Sequence, residues 1–356
     1  MRASQQFSEK RVMNSTNIGL FIVLALVLTL PFLVKKIEEE LEIFLFLAGC
    51  AAVTITSQWS VHLFQEALVE PIKITLAVFF AGVLFRWSQK FISGTVSAMV
   101  RVMGLKGFAF FIIVSLGLLS SVITAIIASL VLVEVVHYLK VERKTEIRLV
   151  ILACFSIGFG AALTPIGEPL STIAIAKLKG LPYEADFFFL AKTLGHYLIP
   201  GVIVFGLLGA ALFLSPHESK KGGLHEDRRE DFKDILMRTA KVYLFVVALV
   251  FLGSGFKPLI DTFIIKIPYQ GLYWVNMISA VLDNATLAAA EIAPSLNLLQ
   301  IKAALMGLLI SGGMLIPGNI PNIIAAGKLK IKSLEWAAFG VPVGIVTMVV
   351  YFFLLK

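Results

Sequence analysis

A chain of 356 residues that is 58% hydrophobic and only 15% charged excludes an ordinary soluble domain, in which about a quarter of residues carry charge. Its formal net charge of +8 does not point to nucleic acid, because the basic residues cluster in short segments between apolar runs, where they act as topology signals. Cys50 and Cys154 lie inside apolar runs without metal-ligand spacing and read as packing residues.

In chain order, the basic N-terminal stretch is followed by an apolar run without a small-residue cleavage pattern, so 17–35 is expected to be an uncleaved first span. Further apolar segments fall near 41–57, 72–87, 108–138, 148–178, 186–214, 237–255, 272–293, 301–328 and 335–355. Together they predict an all-α polytopic protein of about 10–11 membrane segments in the cell (inner) membrane. Residues 89–106 alternate cationic and apolar side chains, as an interfacial helix does. Residues 108–138 would make a helix of roughly 45 Å, too long for a hydrocarbon core of about 30 Å unless steeply tilted. A re-entrant hairpin turning at Ser120–Thr124 is the alternative. The polar stretch Ser215–Asp234 reads as a cytoplasmic linker, with the basic loop 140–148 on the same side. The organisation expected is N-terminal helices 1–71, a first transport repeat 72–214, a linker 215–236 and a second repeat 237–356.

Two stretches carry the functional signal. "TPIGEPLSTIAIAKLKG" from Thr164 and "IPGNIPNIIAAGKLKI" from Ile316 align without a gap when their Lys-Leu-Lys endings are superposed, which places Gly167 on Gly318 and Glu168 on Asn319. Pro165, Gly167 and Pro169 in the first, and Pro317, Gly318 and Pro321 in the second, cannot continue a helix cheaply. Freed backbone at membrane depth is tolerated only when buried in protein or lining an aqueous cavity. Broken helices at corresponding positions of two repeats are the sequence mark of a transporter's binding site. Counting spans puts Lys177-Leu178-Lys179 outside and Lys328-Leu329-Lys330 inside, as in an inverted repeat.

Each break follows a second polar-in-apolar stretch. The first holds Ser120, Ser121 and Thr124; the second holds Ser279, Asp283, Asn284 and Thr286. Asp283 and Glu168 are costly in lipid and need a partner, a cavity or an ion. Carboxylates among hydroxyls, amides and broken-helix carbonyls make the oxygen-rich setting a hard cation requires. Glu134 and Glu291 read as interfacial acids, the motif lysines as snorkelling, and His196 with Lys192 as a packed histidine beside a snorkelling lysine. No nucleotide-binding loop, metal cluster or nucleophile–base pair is present, so no enzyme is expected.

These residues resemble a known group. "LTPIGEPLST" is similar to a segment of NhaD-type sodium/proton antiporters. "SAVLDNATLAAA" resembles a Ser-x-x-x-Asp-Asn stretch that those antiporters share with arsenite-permease-like carriers. "GNIPNIIAAGKLKI" is similar to the Gly-Asn-x-x-Asn-Ile-Ile element of the same ion transporter superfamily. Taken whole, the chain looks most like the DUF1646 family of predicted cation transporters. The resemblance implies two inverted repeats, each with a re-entrant hairpin and a broken helix. It places Thr164, Gly167, Glu168, Ser171 and Thr172, then Asp283 and Asn284, then Gly318, Asn319 and Asn322 at a central site, with Na⁺ ligands sought among Glu168, Asp283, Asn284 and Asn319. Thr124 stands in the first hairpin where the second has Asp283. The function expected is Na⁺ (or Li⁺)/H⁺ exchange, with sodium-coupled symport of an organic or inorganic anion as the alternative. The partners are a monovalent cation, the proton, the bilayer and, in one arrangement, a second copy of the chain. No cofactor and no nucleic acid are expected.

Overall fold

The computed structural model describes residues 2–34, 36–37, 40–139, 141–213, 232–263, 267–282 and 284–355. The chain is all-α, as its apolar runs require, and no strand occurs among the described residues. The helices are α1 (Arg2–Leu33), α2 (Leu41–Thr56), α3 (Val61–Ile123), α4 (Ala125–Tyr138), α5 (Arg143–Ala161), α6 (Pro169–Lys177) and α7 (Phe189–Ala211). There follow α8 (Phe232–Phe263), α9 (Tyr269–Val275), a 3-10 turn (Asn276–Ala280), α10 (Asn284–Glu291), α11 (Leu298–Gly312), a 3-10 turn (Ile316–Gly318), α12 (Ile320–Leu329) and α13 (Ser333–Leu354).

Gly94–Ile123, Phe189–Ala211, Ile235–Leu259 and Ser333–Leu354 are long and apolar enough to cross a membrane. Shorter apolar helices accompany them: Ser15–Pro31, Leu41–Thr56, Ala125–Tyr138 and Leu298–Gly312.

Two boundaries differ from expectation, and a third falls on one of two alternatives. Residues 89–106 do not form an element of their own. They continue α3, whose helical geometry is interrupted only at Gly104 (φ 69, ψ 168), a left-handed position where glycine escapes the penalty a Cβ would meet. Residues 108–138 follow the second of the two alternatives, a turn within Ser120–Thr124, rather than one tilted helix. Thr124 breaks the stretch at φ 76, its Oγ1 accepts from Ile127 N at 3.3 Å, and α4 packs against α3. Of the expected linker, 214–231 lies outside the described residues, and helix α8 has already begun at Phe232.

The N-terminal helices are held by close backbone approach. α2 packs on α8, where a Cβ on Gly49 would lie 2.8 Å from Phe251 Cβ and one on Gly255 would lie 2.8 Å from the carbonyl carbon of Ala52. Small residues that let two helices meet are the usual adhesive of apolar helix pairs, since lipid offers no hydrophobic drive. Lys241 of α8 adds ion pairs to Glu40 (3.1 Å) and Glu42 (2.5 Å). At the other end, α13 is tied in by hydroxyls: Tyr351 donates to Tyr197 O at 2.7 Å, and Tyr273 of α9 donates to Met348 O at 2.7 Å.

This packing makes a checkable statement. Gly255→Ala drives a Cβ into the Ala52 backbone and should lower stability in detergent by about 1–3 kcal/mol, the usual cost of overpacking. Gly94→Ala, with nothing within 4 Å of its Cβ, should leave thermal unfolding unchanged or raise it. Equal losses at both positions would contradict the close helix contact.

Candidate functional site

The two aligned stretches build two equivalent helix breaks. α5 ends at Ala161 and α6 begins at Pro169; α11 ends at Gly312 and α12 begins at Ile320. Glu168 and Asn319, paired by the sequence alignment, occupy the same structural position. Each caps the helix that follows, with extended backbone (φ −154, ψ 160 and φ −153, ψ 146), and each is followed by a proline in the first turn. Proline suits that place because its missing N–H would be unsatisfied in any residue. Both side chains are buried, at 5% and 4% exposure.

The offset that puts Glu168 on Asn319 also matches contacts the alignment never used. It pairs Ala161 with Gly312, and the carbonyls of these two residues face Gly167 and Gly318. A Cβ on Gly318 would sit 2.6 Å from Gly312 O and 2.7 Å from Ser279 O, so the chain passes its own carbonyls too closely for any side chain. The offset pairs Ile157 with Leu308 as well. Ser120 Oγ donates to Ile157 O at 2.9 Å and Ser279 Oγ donates to Leu308 O at 3.4 Å. Finally it pairs Ser171 with Asn322, and both carry a buried oxygen (Ser171 Oγ, Asn322 Oδ1) with no hydrogen-bond partner among the described residues.

The breaks are brought together with the stretches before them. Ala125 N donates to Gly167 O at 2.8 Å, and Thr164 Oγ1 donates to Ser121 O at 2.5 Å. Asn322 Nδ2 donates to Gly312 O (2.8 Å) and Leu315 O (2.9 Å), satisfying carbonyls that the break frees. Asn284 caps no backbone group; its buried Nδ2 lies beside Gly312 and has no described acceptor. Asn319 Nδ2 lies beside Gly158 of α5, so the second break touches the first half of the chain. The short helices are exchanged between halves: α6 packs on α10 and α12 packs on α4.

Not every candidate faces this centre. Thr172 is exposed and donates to Pro165 O at 2.6 Å, which holds the loop. Ser121 Oγ is spent on Leu118 O at 2.7 Å, one turn back in its own helix. Asp283 lies outside the described residues, and of Thr286 only the backbone, within α10, is described.

Two acids expected near the interface are placed otherwise. Glu134 is buried and ion-paired with Lys328, so α4 and α12 are joined across the two halves and this motif lysine does not snorkel. Lys177, its counterpart in the alignment, is exposed. Glu291 is also buried and accepts from Asn276 Nδ2 at 2.8 Å. The signal for both was available, since an acid in an apolar run needs a partner; periodicity does not say which one. Lys192, expected beside His196, instead pairs with Asp186 at 2.6 Å, and that ammonium holds the exposed Asp186 carboxyl below the usual carboxylate range. Arg143 Nη2 donates to Leu329 O (2.9 Å) and Lys330 O (3.1 Å), a cation closing the C-terminal end of α12. No three of His, Cys, Asp and Glu come together as a metal centre among the described residues.

Among the described residues, fold and site thus define an all-helical protein with helices long and apolar enough to cross a membrane and two matched, buried helix breaks. Over residues 17–356 the chain matches the family described as protein of unknown function (DUF1646), and it belongs to that family. No curated protein matches it.

The cross-half ion pair predicts strongly non-additive stability. Glu134→Leu or Lys328→Met alone leaves one buried charge and should cost about 3–5 kcal/mol, whereas the double variant should recover most of that loss. Thermal unfolding of the three variants in detergent checks it; additive losses would mean the two side chains do not depend on each other.

Proposed function

We propose that the chain is a secondary active transporter that crosses the cell (inner) membrane several times and exchanges Na⁺ or Li⁺ for protons by alternating access. The observation that carries this reading is the equivalence of the two breaks, with Glu168 and Asn319 buried at the same position of each. Interrupted helices in both halves of a membrane protein mark a binding site near the bilayer midplane. The oxygen donors at and beside the breaks suit a hard cation: Glu168, Thr164, Ser171, the Asn284 and Asn319 amides, and backbone carbonyls of the broken segments. A carboxylate in such a place holds either a proton or a cation, so the two compete for one site at different times. The sequence likeness to sodium/proton antiporters agrees with this chemistry.

The exchanged packing of α6 on α10 and α12 on α4 supports two inverted repeats, in which 108–138 is the first re-entrant hairpin and Asn276–Glu291 the second. Contact of Arg143 with the end of α12 agrees with a shared cytoplasmic side for the 140–148 loop and Lys328-Leu329-Lys330. Cysteines placed beside Lys179 and Lys330 should then react with impermeant reagents from opposite sides of the membrane. Labelling from one side alone would remove the inversion.

One observation favours the alternative of sodium-coupled anion symport. The helices α6 and α12 begin at the breaks, the first residue of α4 donates its N–H to Gly167 O at 2.8 Å, and helix N-termini attract anions. At α6, however, the position is filled by Glu168, the protein's own carboxylate.

Proteoliposomes assayed for proton and anion flux with Na⁺, Li⁺ and K⁺ separate these readings. Glu168→Gln or Asp283→Asn should abolish cation-driven proton movement in a protein that stays folded. Asn319→Ala should weaken apparent cation affinity roughly tenfold or more, because an interaction with a charged group is worth about 1.5–3 kcal/mol. Normal exchange with normal pH dependence in both neutral variants would overturn the carboxylate mechanism.

A further inference from the structure

Glu291 stands apart from the residues assigned to the cation. It closes α10, is 4% exposed, and its Oε2 accepts from Asn276 Nδ2 at 2.8 Å. Asn276 lies in the 3-10 turn at 0% exposure. Its amide nitrogen also donates to Ala304 O at 3.1 Å, and its backbone carbonyl accepts from Ser311 Oγ at 2.6 Å. Two atoms are left over: Glu291 Oε1 and Asn276 Oδ1 are both buried, and no described residue donates to either.

The identity of these two atoms is informative. Both are acceptors as drawn, and they belong to groups already joined by one hydrogen bond. An ionised carboxylate here would keep an unsatisfied charged oxygen in an apolar surround, which is costly. A protonated carboxyl has one O–H donor, and an amide oxygen accepts.

We propose that Glu291 and Asn276 form a proton-binding site: one proton on Glu291 Oε1, donated to Asn276 Oδ1, closes a cyclic acid–amide pair whose other half is the existing bond from Asn276 Nδ2 to Glu291 Oε2. A single proton satisfies both leftover atoms at once, whereas a metal ion would need further oxygens. No charged side chain among the described residues competes for the carboxyl. Of the elements packed on α10, α6 offers Lys177, which is exposed, and α8 offers Lys233 and Lys257, which are exposed, and Lys241, which pairs with Glu40 and Glu42. On α11, Lys302 lies over the Tyr197 ring at 5.7 Å, and the 3-10 turn carries no charge. In transport this pair carries a further proton, in addition to the one that competes with the cation at Glu168; that role rests on the exchange reading, and the proton binding itself does not.

Glu291→Gln is the discriminating variant. A Gln amide accepts from Asn276 Nδ2 and donates to Asn276 Oδ1, so it keeps both hydrogen bonds and cannot titrate. pH-difference infrared spectroscopy on the full chain in lipid should show a protonated-carboxyl C=O band in the wild type. That band should be missing in Glu291→Gln and shifted in Asn276→Leu, which lacks the partner oxygen. An identical difference spectrum in Glu291→Gln would overturn the proton site. In proteoliposomes, Na⁺ uptake driven by an imposed pH gradient should be lost in Glu291→Gln while Na⁺/Na⁺ counterflow at equal pH persists. Unchanged proton-driven uptake would overturn the coupling role. A wild-type chain that moves no protons would overturn the exchange reading instead, and the infrared band would still decide whether the pair binds a proton.

Discussion

A helix interrupted at membrane depth frees carbonyls and amides that the surrounding hydrocarbon cannot satisfy. Most of the architecture here answers that demand. Asn322 turns its amide onto Gly312 and Leu315, Thr172 closes on Pro165, and Ala125 donates to Gly167. The indole of the fully buried Trp336, on α13, donates to Gly313 O at 3.2 Å. Each partner comes from a different element, so the breaks also dictate which helices must pack together. Gly167 and Gly318 are required for the same reason: the chain doubles back against its own carbonyls, and a Cβ would push those partners out of reach.

How much of this was legible depends on whether the cause is local. Proline and glycine act on the residues beside them, so the position and equivalence of the two breaks could be read directly, down to the pairing of Glu168 with Asn319; that both stand at helix N-termini came from the fold. The all-helical class followed from apolar runs alone. Helix limits were harder. α3 tolerates Pro71 in its interior and runs on through the cationic stretch up to Gly104, the one residue inside it with non-helical geometry. The ion pair of Glu134 with Lys328 and the pairing of Glu291 with Asn276 join residues whose neighbours in sequence say nothing about each other. Hydrophobic runs show that an acid is buried. They do not name the group that meets it.

The two halves share a backbone frame and differ in chemistry. Glu168 faces Asn319 across the alignment, Ser171 faces Asn322, and exposed Lys177 faces the buried, paired Lys328. In the exchange reading, a frame that repeats while its side chains diverge separates two tasks: the breaks fix where ligand oxygens stand, and the side chains decide which half carries charge. The cross-half pair also falls on only one of two equivalent places, so the two short-helix contacts, α4 with α12 and α6 with α10, are unequal in strength. In the exchange reading that inequality lets one contact hold while the other slides, as a rocking movement of one repeat against the other requires.

In the exchange reading, the place of Glu168 accounts for an acid rather than an amide there. Its carboxyl is buried at the N-terminal end of α6, and a group that trades a proton for a cation must visit both a protonated and a cation-bound state. Asn319 sits at the same backbone position of α12 and can offer only a fixed dipole. In the exchange reading, the second break therefore positions a ligand oxygen without titrating, and the exchange of charge in the paired breaks belongs to the first.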